Sequence, residues 1–289
     1  MEGLAPPLPA SSEAVITLTT DFGLSDAYVA SMKGVILTIN PGATIVDICH
    51  SIEPQNIRQG AFVLSPAFSC FPQDTVHLIV VDPGVGGPRR AIILETNNAI
   101  FVAPDNGALS YVIQASTSKR IRRPTLMTLP PELQAFEITN SKYWHHPVSP
   151  TFHGRDIFAP VAAHISLGVP LNELGLPIAS VNVFPLPRPQ TDAGGSLVGH
   201  ILHIDHFGNL ITDITSEDLP SGGYSIQVAG HQIGSLSDSY EQRHELLALI
   251  GSSGRLEIAL KGGHAARLLG SKLGDELQIT RCRAGRNRG

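Results

Sequence analysis

The chain has 289 residues, 42% of them hydrophobic and 16% charged, enough to bury one large core or two unequal ones. A net charge of −5 argues against a nucleic-acid footprint, and no apolar run approaches the roughly 20 residues of a membrane-spanning helix. Cys49, Cys70 and Cys282 are too widely spaced for a disulfide framework or a structural zinc site, which suits a reducing cytoplasm.

Residues 1–13 lack a basic region followed by an apolar core, so they read as a flexible leader, not a signal peptide. "AVITLTTDFG" (14–23) is a β-branched run ending at Asp21, a buried strand that stops in a loop. In "DAYVASMKGVILTIN" (26–40) the apolar residues form a helical stripe, with Asp26 as N-cap and Asn40-Pro41-Gly42 as the stop. "ATIVDIC" (43–49) is a second strand and 56–71 a second helix, bent near Pro66. "TVHLIVVD" (75–82) is a third strand, again ending at an aspartate. Residues 90–98 and 99–107 form a strand pair turning at Asn97-Asn98, the second member running into Asp105-Asn106-Gly107. A short helix follows, 115–150 has no clear pattern, and 154–168 reads as a helix headed by His153.

Alternation of strand and helix predicts a mostly parallel sheet flanked by helices, an α/β domain over 14–183. Residues 184–195 read as a Pro- and Gly-rich linker. From 196 to 280 short strands follow at close spacing, which predicts a smaller antiparallel β-barrel domain of five to seven strands. Residues 281–289 form a basic, solvated tail.

Ligands of open α/β sheets bind beyond the carboxyl ends of the strands, so Asp21, Asp82 and Asp105 are expected around one crevice. Three chemistries compete for it. "DPGVGGPRR" (82–90) is glycine-rich but lacks GxxxxGK[ST], and a leading aspartate repels phosphate. Metal binding could use His50, His153, His203 or His206, but as a strand "HILHIDH" (200–206) would point His203 away from His200 and His206. The third is proton transfer: Asp82 and Arg89 lie within pairing reach across the glycine loop, and a helix N-terminus disfavours the cationic form of His153.

Six stretches in order, "TTDFGLSDAYVASMKGVI" (19–36), "DPGVGGPRR" (82–90), "PDNG" (104–107), "TFHGRDIFAPVAA" (151–163), "IDHFGNLITDI" (204–214) and "GSSGRLEIA" (251–259), resemble the S-adenosyl-L-methionine hydroxide adenosyltransferases. These are hydrolytic relatives of fluorinating and chlorinating enzymes. The resemblance implies that S-adenosyl-L-methionine and water give adenosine and L-methionine, without metal or cofactor. It assigns water activation to Asp82, Arg89 and His153, with His153 or a shared network taking the proton. The halogenating relatives carry small or hydroxylated residues in place of the aspartate and the His-Gly pair. A carboxylate repels halide, so Asp82 favours water as nucleophile.

The resemblance also implies substrate contacts. Asp21 matches the residue that accepts from both ribose hydroxyls, and Asp26 and Asp205 match carboxylates near the methionine ammonium. Asn209 matches an amide at the adenine end, and Ser252 and Ser253 match the loop at the methionine carboxylate. The halogenating relatives have arginine where this chain has Ser253. Phe152 would pack on the ligand, while Asp105 and Asn106 would line the pocket or shape its turn. The family assembly implied is a homotrimer with pockets at subunit interfaces. A non-catalytic sensor of the same ligand and a metal-dependent hydrolase are the competing readings.

Overall fold

The computed structural model describes residues 14–117, 120–221, 223–233, 236–241 and 246–281. The expected leader (1–13), Cys282 and the rest of the basic tail lie outside the described residues. Two compact units divide the chain, the first reaching Leu186 and the second starting at Pro187.

In the first unit the order is β1 (Val15–Thr20), α1 (Tyr28–Ile39), β2 (Thr44–Cys49), α2 (Ile57–Phe68), β3 (Thr75–Val80), β4 (Ala91–Glu95), β5 (Ala99–Pro104) and α3 (Ser110–Ala115). Then come β6 (Thr125–Thr128), β7 (Gln134–Ile138), α4 (Ala159–Ser166), α5 (Leu171–Leu174), β8 (Gly175–Ile178) and β9 (Ser180–Val183). The main sheet runs β2-β1-β3-β5-β4-β7-β8. Its first four strands are parallel, and β4, β7 and β8 continue it with each strand antiparallel to its neighbour. The mixed half arises because the turn at Asn97-Asn98 is too short for a crossover helix, so β4 and β5 must pair as a hairpin. The patternless 115–150 stretch holds β6, β7 and a short 3-10 turn.

Alternation along the strands feeds two cores. Leu78 and Val80 of β3 join Met32, Ile36 and Val161 on one face, while Ile79 joins Leu64, Phe101 and Val112 on the other. Helices α1 and α4 cover the first face, α2 and α3 the second. Two expectations need correction. Residue Ala27, not Asp26, occupies the N-cap of α1, and no side chain caps it. Asn56 does cap α2, accepting from the Gln59 amide at 3.0 Å. The 154–168 segment is not one α-helix: Gly154–Phe158 forms a π-helical turn before α4, which starts at Ala159.

His77 sits in the second core at 1% exposure, stacked on Phe101, with Nδ1 2.7 Å from the Thr17 hydroxyl and Nε2 buried without a partner. Burial pushes its pKa down to about 4. The folded state therefore resists the proton that the unfolded chain accepts below the ordinary value near 6.5. Stability should fall by roughly 3 kcal/mol as pH drops from about 6.5 to 4, then level. Urea midpoints across this range should show that slope in the parent and not in His77→Gln. Equal slopes would mean that His77 is not its source.

The second unit contains β10 (Gln190–Thr191), β11 (Leu197–Ile204), β12 (Leu210–Thr215), β13 (Tyr224–Val228), β14 (His231–Ile233), β15 (Leu246–Ile250), β16 (Arg255–Leu260), α6 (Ala265–Leu269) and β17 (Glu276–Arg281). Its antiparallel order is β14-β13-β17-β11-β12-β16-β15, with β10 pairing β11. A bridge between Leu236 and Ala248, with the Ser237 amide on the Ala248 carbonyl, brings the ends toward closure. The sheet is thus a nearly closed barrel around Ile201, Leu210, Ile226, Ile258 and Ile279. It has eight strands among the described residues, one more than the upper expectation. The extra strand is β10, inside the stretch read as linker. Pro- and Gly-rich composition conceals a two-residue strand that exists only by pairing with Leu197 and Val198. Strand β11 stops at Ile204, so His206 lies in the following turn and shares no strand face with His200.

Candidate active site

Strands β1, β3 and β5 are neighbouring parallel strands, so the loops carrying Asp21, Asp82 and Asp105 leave the same edge of the sheet. Asp82 begins a tight glycine turn, its carbonyl accepting from the Val85 amide and that of Gly84 from Gly87. Gly86 has φ +74, and a Cβ there would lie 2.3 Å from the Pro150 carbonyl oxygen. Only glycine lets this turn lie against the 149–153 loop. That loop is held by Asp156, fully buried, which accepts from the Ser149 amide at 2.8 Å and from the Arg155 guanidinium.

The two loops bring together one hydrogen-bonded row. Arg89 donates Nε to both Asp82 oxygens at 2.9 Å and Nη2 to Oδ2, and its guanidinium lies over the Phe158 ring at 5.1 Å. The same Nη2 reaches His153 Nδ1 at 2.9 Å. Side-chain exposure is 12% for Arg89 and 5% for Asp82, so the pair is largely desolvated. Burial, with the Arg89 cation alongside, holds the His153 imidazole below the usual histidine range, against the opposing pull of Asp82 and Asp156. The expected direction holds, with burial rather than a helix terminus as its leading cause. A guanidinium only donates, so His153 Nδ1 accepts and the neutral ring carries its proton on Nε2.

Next to His153 in the chain, Phe152 packs edge to face on Phe22 and Tyr28, which are tilted on each other, with centroids 5.2 to 5.9 Å apart. Gly154 leaves the space: a Cβ there would sit 3.2 Å from the Phe22 ring. The Arg155 guanidinium covers Phe152 at 5.0 Å. Asp21 Oδ2 accepts from the Gln55 amide at 2.7 Å. Asp26 is exposed in the turn before α1, 3.4 Å from the Ser25 hydroxyl.

Asp105 is placed differently. At 4% exposure, its carboxylate accepts from Arg90 Nε, from the Asn182 amide at 2.7 Å and from Asn182 Nδ2 at 3.0 Å. Asn106 donates to the Val81 carbonyl at 2.9 Å and accepts from the Ala108 amide.

In the second unit Asp205 and Asn209 close a loop on each other. Asp205 accepts from the Asn209 amide at 2.8 Å and from its Nδ2 at 2.9 Å. Gly208 (φ +87) packs against His264, whose Nδ1 would lie 2.0 Å from an added Cβ. Ser252 and Ser253 are exposed in the turn between β15 and β16. Sequence reasoning missed Glu257 on β16, whose only signal is an acid in an apolar strand. It is 7% exposed, accepts from the Tyr240 hydroxyl at 3.0 Å, and is pushed up by burial and by the Asp205 charge. Tyr240 rises to about 12, through burial and Glu257. Among the described residues no three His, Cys, Asp or Glu side chains are grouped to hold a metal ion, and no helix is long and apolar enough to cross a membrane.

A mostly parallel sheet carrying the hydrogen-bonded Asp82–Arg89–His153 row in one unit, and a nearly closed antiparallel barrel in the other, define a mixed α/β protein. Residues 16–175 match the SAM hydroxide adenosyltransferase N-terminal domain and residues 199–278 its C-terminal domain, and the chain belongs to this family. It is 37% identical over 275 residues to a protein of Salinispora tropica named (R)-S-adenosyl-L-methionine hydrolase, covering 92% of this chain and 97% of that one. A fluorinase of an Actinoplanes species is 32% identical over 246 residues, covering 76% of this chain and 78% of its own. Among solved structures, an uncharacterized conserved protein from Thermotoga maritima superposes with a TM-score of 0.80 at 36% identity, covering 92% of this chain and 100% of that one.

Proposed function

We propose that this protein is an enzyme that hydrolyses S-adenosyl-L-methionine to adenosine and L-methionine. The observation that carries the reading is the row Asp82–Arg89–His153, partly buried, hydrogen-bonded throughout and of a composition suited to water activation. The relatives named hydrolases support the substrate. Water oxygen bonds to C5′ of the ribose, the C5′–S bond breaks, and its electron pair stays on sulfur, which leaves as a neutral thioether. One proton is released. Because sulfonium is already the leaving group, no general acid is needed, and the demand falls on placing water in line with the C5′–S bond.

Arg89 is held by Asp82 and aims its remaining N–H groups at the nucleophile, stabilising hydroxide character. His153 Nδ1 already accepts from Arg89, so we assign His153 as an Nε2–H donor that orients the water rather than as the first proton acceptor. The attacking oxygen becomes acidic as it bonds to carbon, and Asp82 is the carboxylate of the set that receives its proton. Asp82 also disfavours a halide nucleophile.

Asp21 accepts from the ribose hydroxyls, and Phe152 packs on the ligand. Asp26 and Asp205 take the methionine ammonium. Asn209 meets the adenine end, and Ser252 and Ser253 meet the methionine carboxylate. Asp105 and Asn106 shape the turn beside Asp82. We place the enzyme in the cytoplasm, a reading supported by the free thiols of Cys49 and Cys70, and read it as a homotrimer with pockets at subunit interfaces.

Incubation of the purified protein with S-adenosyl-L-methionine, with and without chelator and chloride, should yield adenosine and methionine in every case. Production of 5′-chloroadenosine would overturn the nucleophile, activity lost to chelator would favour a metal hydrolase, and binding without product would leave a sensor. Light scattering on the same sample should give three times the 30.7 kDa chain mass.

A further inference from the structure

Behind Asp21 runs a line of polar side chains that the reaction does not touch. Thr20 is fully buried and His50 is 5% exposed. The Thr20 hydroxyl lies 2.8 Å from His50 Nδ1. His50 Nε2 lies 3.0 Å from Asp47 Oδ1, at an angle short of a good hydrogen bond, and Asp47 Oδ2 accepts from Lys33 at 2.6 Å. Asp47 is an anion here: Lys33 and His50 hold its carboxyl below the usual range although burial pushes it up. The carboxylate draws the imidazole proton to Nε2, which leaves Nδ1 as the acceptor of the Thr20 O–H.

The other end of this line grips the loop that carries Asp21. The Thr20 oxygen accepts from the Phe22 amide at 3.2 Å, and the His50 carbonyl accepts from the Gly23 amide at 2.8 Å. Gly23 has φ +66 and Gln55 φ +68, and the Gln55 amide donates to the Asp21 carboxylate. Asp21 and Phe22 are thus held on both sides by His50, through its side chain via Thr20 and through its own backbone.

We propose that His50 is a positioning residue for substrate binding: through Thr20 it fixes the loop that aims Asp21 at the ribose hydroxyls. The inference rests on the assignment of Asp21 to the ribose. A histidine that only filled and satisfied the core would influence stability and leave ligand affinity alone. A positioning histidine weakens whatever holds the ribose, so its loss raises KM and weakens inhibition by adenosine, with kcat spared.

The test uses the full-length protein carrying His50→Gln, His50→Asn, Thr20→Val or Asp21→Ala, with melting temperatures measured alongside kinetics. An asparagine amide places its oxygen near Nδ1 and keeps the acceptor for Thr20, whereas glutamine reaches the Nε2 position and loses it. His50→Gln and Thr20→Val should each raise KM and the adenosine inhibition constant about tenfold, the loss of roughly one hydrogen bond, with kcat changed less than about threefold. His50→Asn should restore both constants to within about threefold of the parent. Inhibition by methionine should not move. Adding Thr20→Val to Asp21→Ala should weaken adenosine no further. Thr20→Val is close to isosteric, and it decides the matter if a His50 variant fails to fold. Lower melting temperatures with unchanged KM and adenosine inhibition would overturn the proposal. If Asp21→Ala itself leaves adenosine inhibition unchanged, the ribose assignment fails, a distinct result.

Discussion

Replacing Asp82 by Ala should lower kcat by about 100- to 1,000-fold, with KM for S-adenosyl-L-methionine within a few-fold of the parent. Asp82 holds Arg89 by its Nε and Nη2 together, and that grip is what sets Nη2 at 2.9 Å from His153. Without the carboxylate the guanidinium loses its fixed direction, and its field on the nucleophile becomes diffuse. The substrate's adenosine and methionine ends bind elsewhere, so affinity changes little. A comparison at His153 separates its two possible roles. His153→Gln can keep an N–H donor near the Nε2 position, and it should retain kcat within about tenfold of the parent, whereas His153→Ala should lose about 100-fold. Glutamine cannot act as a base. If Gln and Ala are equally inactive, His153 takes the proton and the donor assignment is wrong. A large KM increase with unchanged kcat for Asp82→Ala would remove Asp82 from the chemistry.

Gly86→Ala is expected to be nearly as damaging, although Gly86 carries no functional group. A left-handed backbone disfavours alanine by about 1–2 kcal/mol. The larger effect is geometric: the added methyl would fall 2.3 Å from the Pro150 carbonyl oxygen, so one loop must move off the other. Asp82 and Arg89 ride on one loop and His153 on the other. A separation of about 1 Å is enough to lower kcat roughly 100-fold. Stopped assays for kcat and thermal melts on Gly86→Ala test this together. Full turnover with a lower melting temperature would mean that contact between the loops does not set the row.

Much of the scaffold was legible because its signals are local. The β-branched runs ending at Asp21 and Asp82 bury both faces in a parallel sheet, and such strands need no partner information to be recognised. The hairpin at Asn97-Asn98 follows from residue chemistry within a few positions. The β10 strand was missed because two residues carry no periodicity, and its existence depends on β11. Asp26 looked like a helix cap, yet the chain turns one residue later, at Ala27. The π-helical turn at Gly154–Phe158 was hidden because an inserted residue keeps helical composition while changing which way His153 faces.

The sequence by itself determined which chemical groups stand at the strand ends and which family the chain joins, since both are properties of residues in order. By strand position alone Asp105 and Asp82 looked alike, because each begins the loop after a buried strand. Only the tertiary structure decided that Arg90 and Asn182 consume the first, while Arg89 links the second to His153. It also turned His50, which by spacing was one of several metal candidates, into a neighbour of Thr20. The physical reason is common to all these cases. A carboxylate or imidazole acquires its role from the donors within about 3 Å of it, and in these cases those donors come from residues 7 to 77 positions away in the chain.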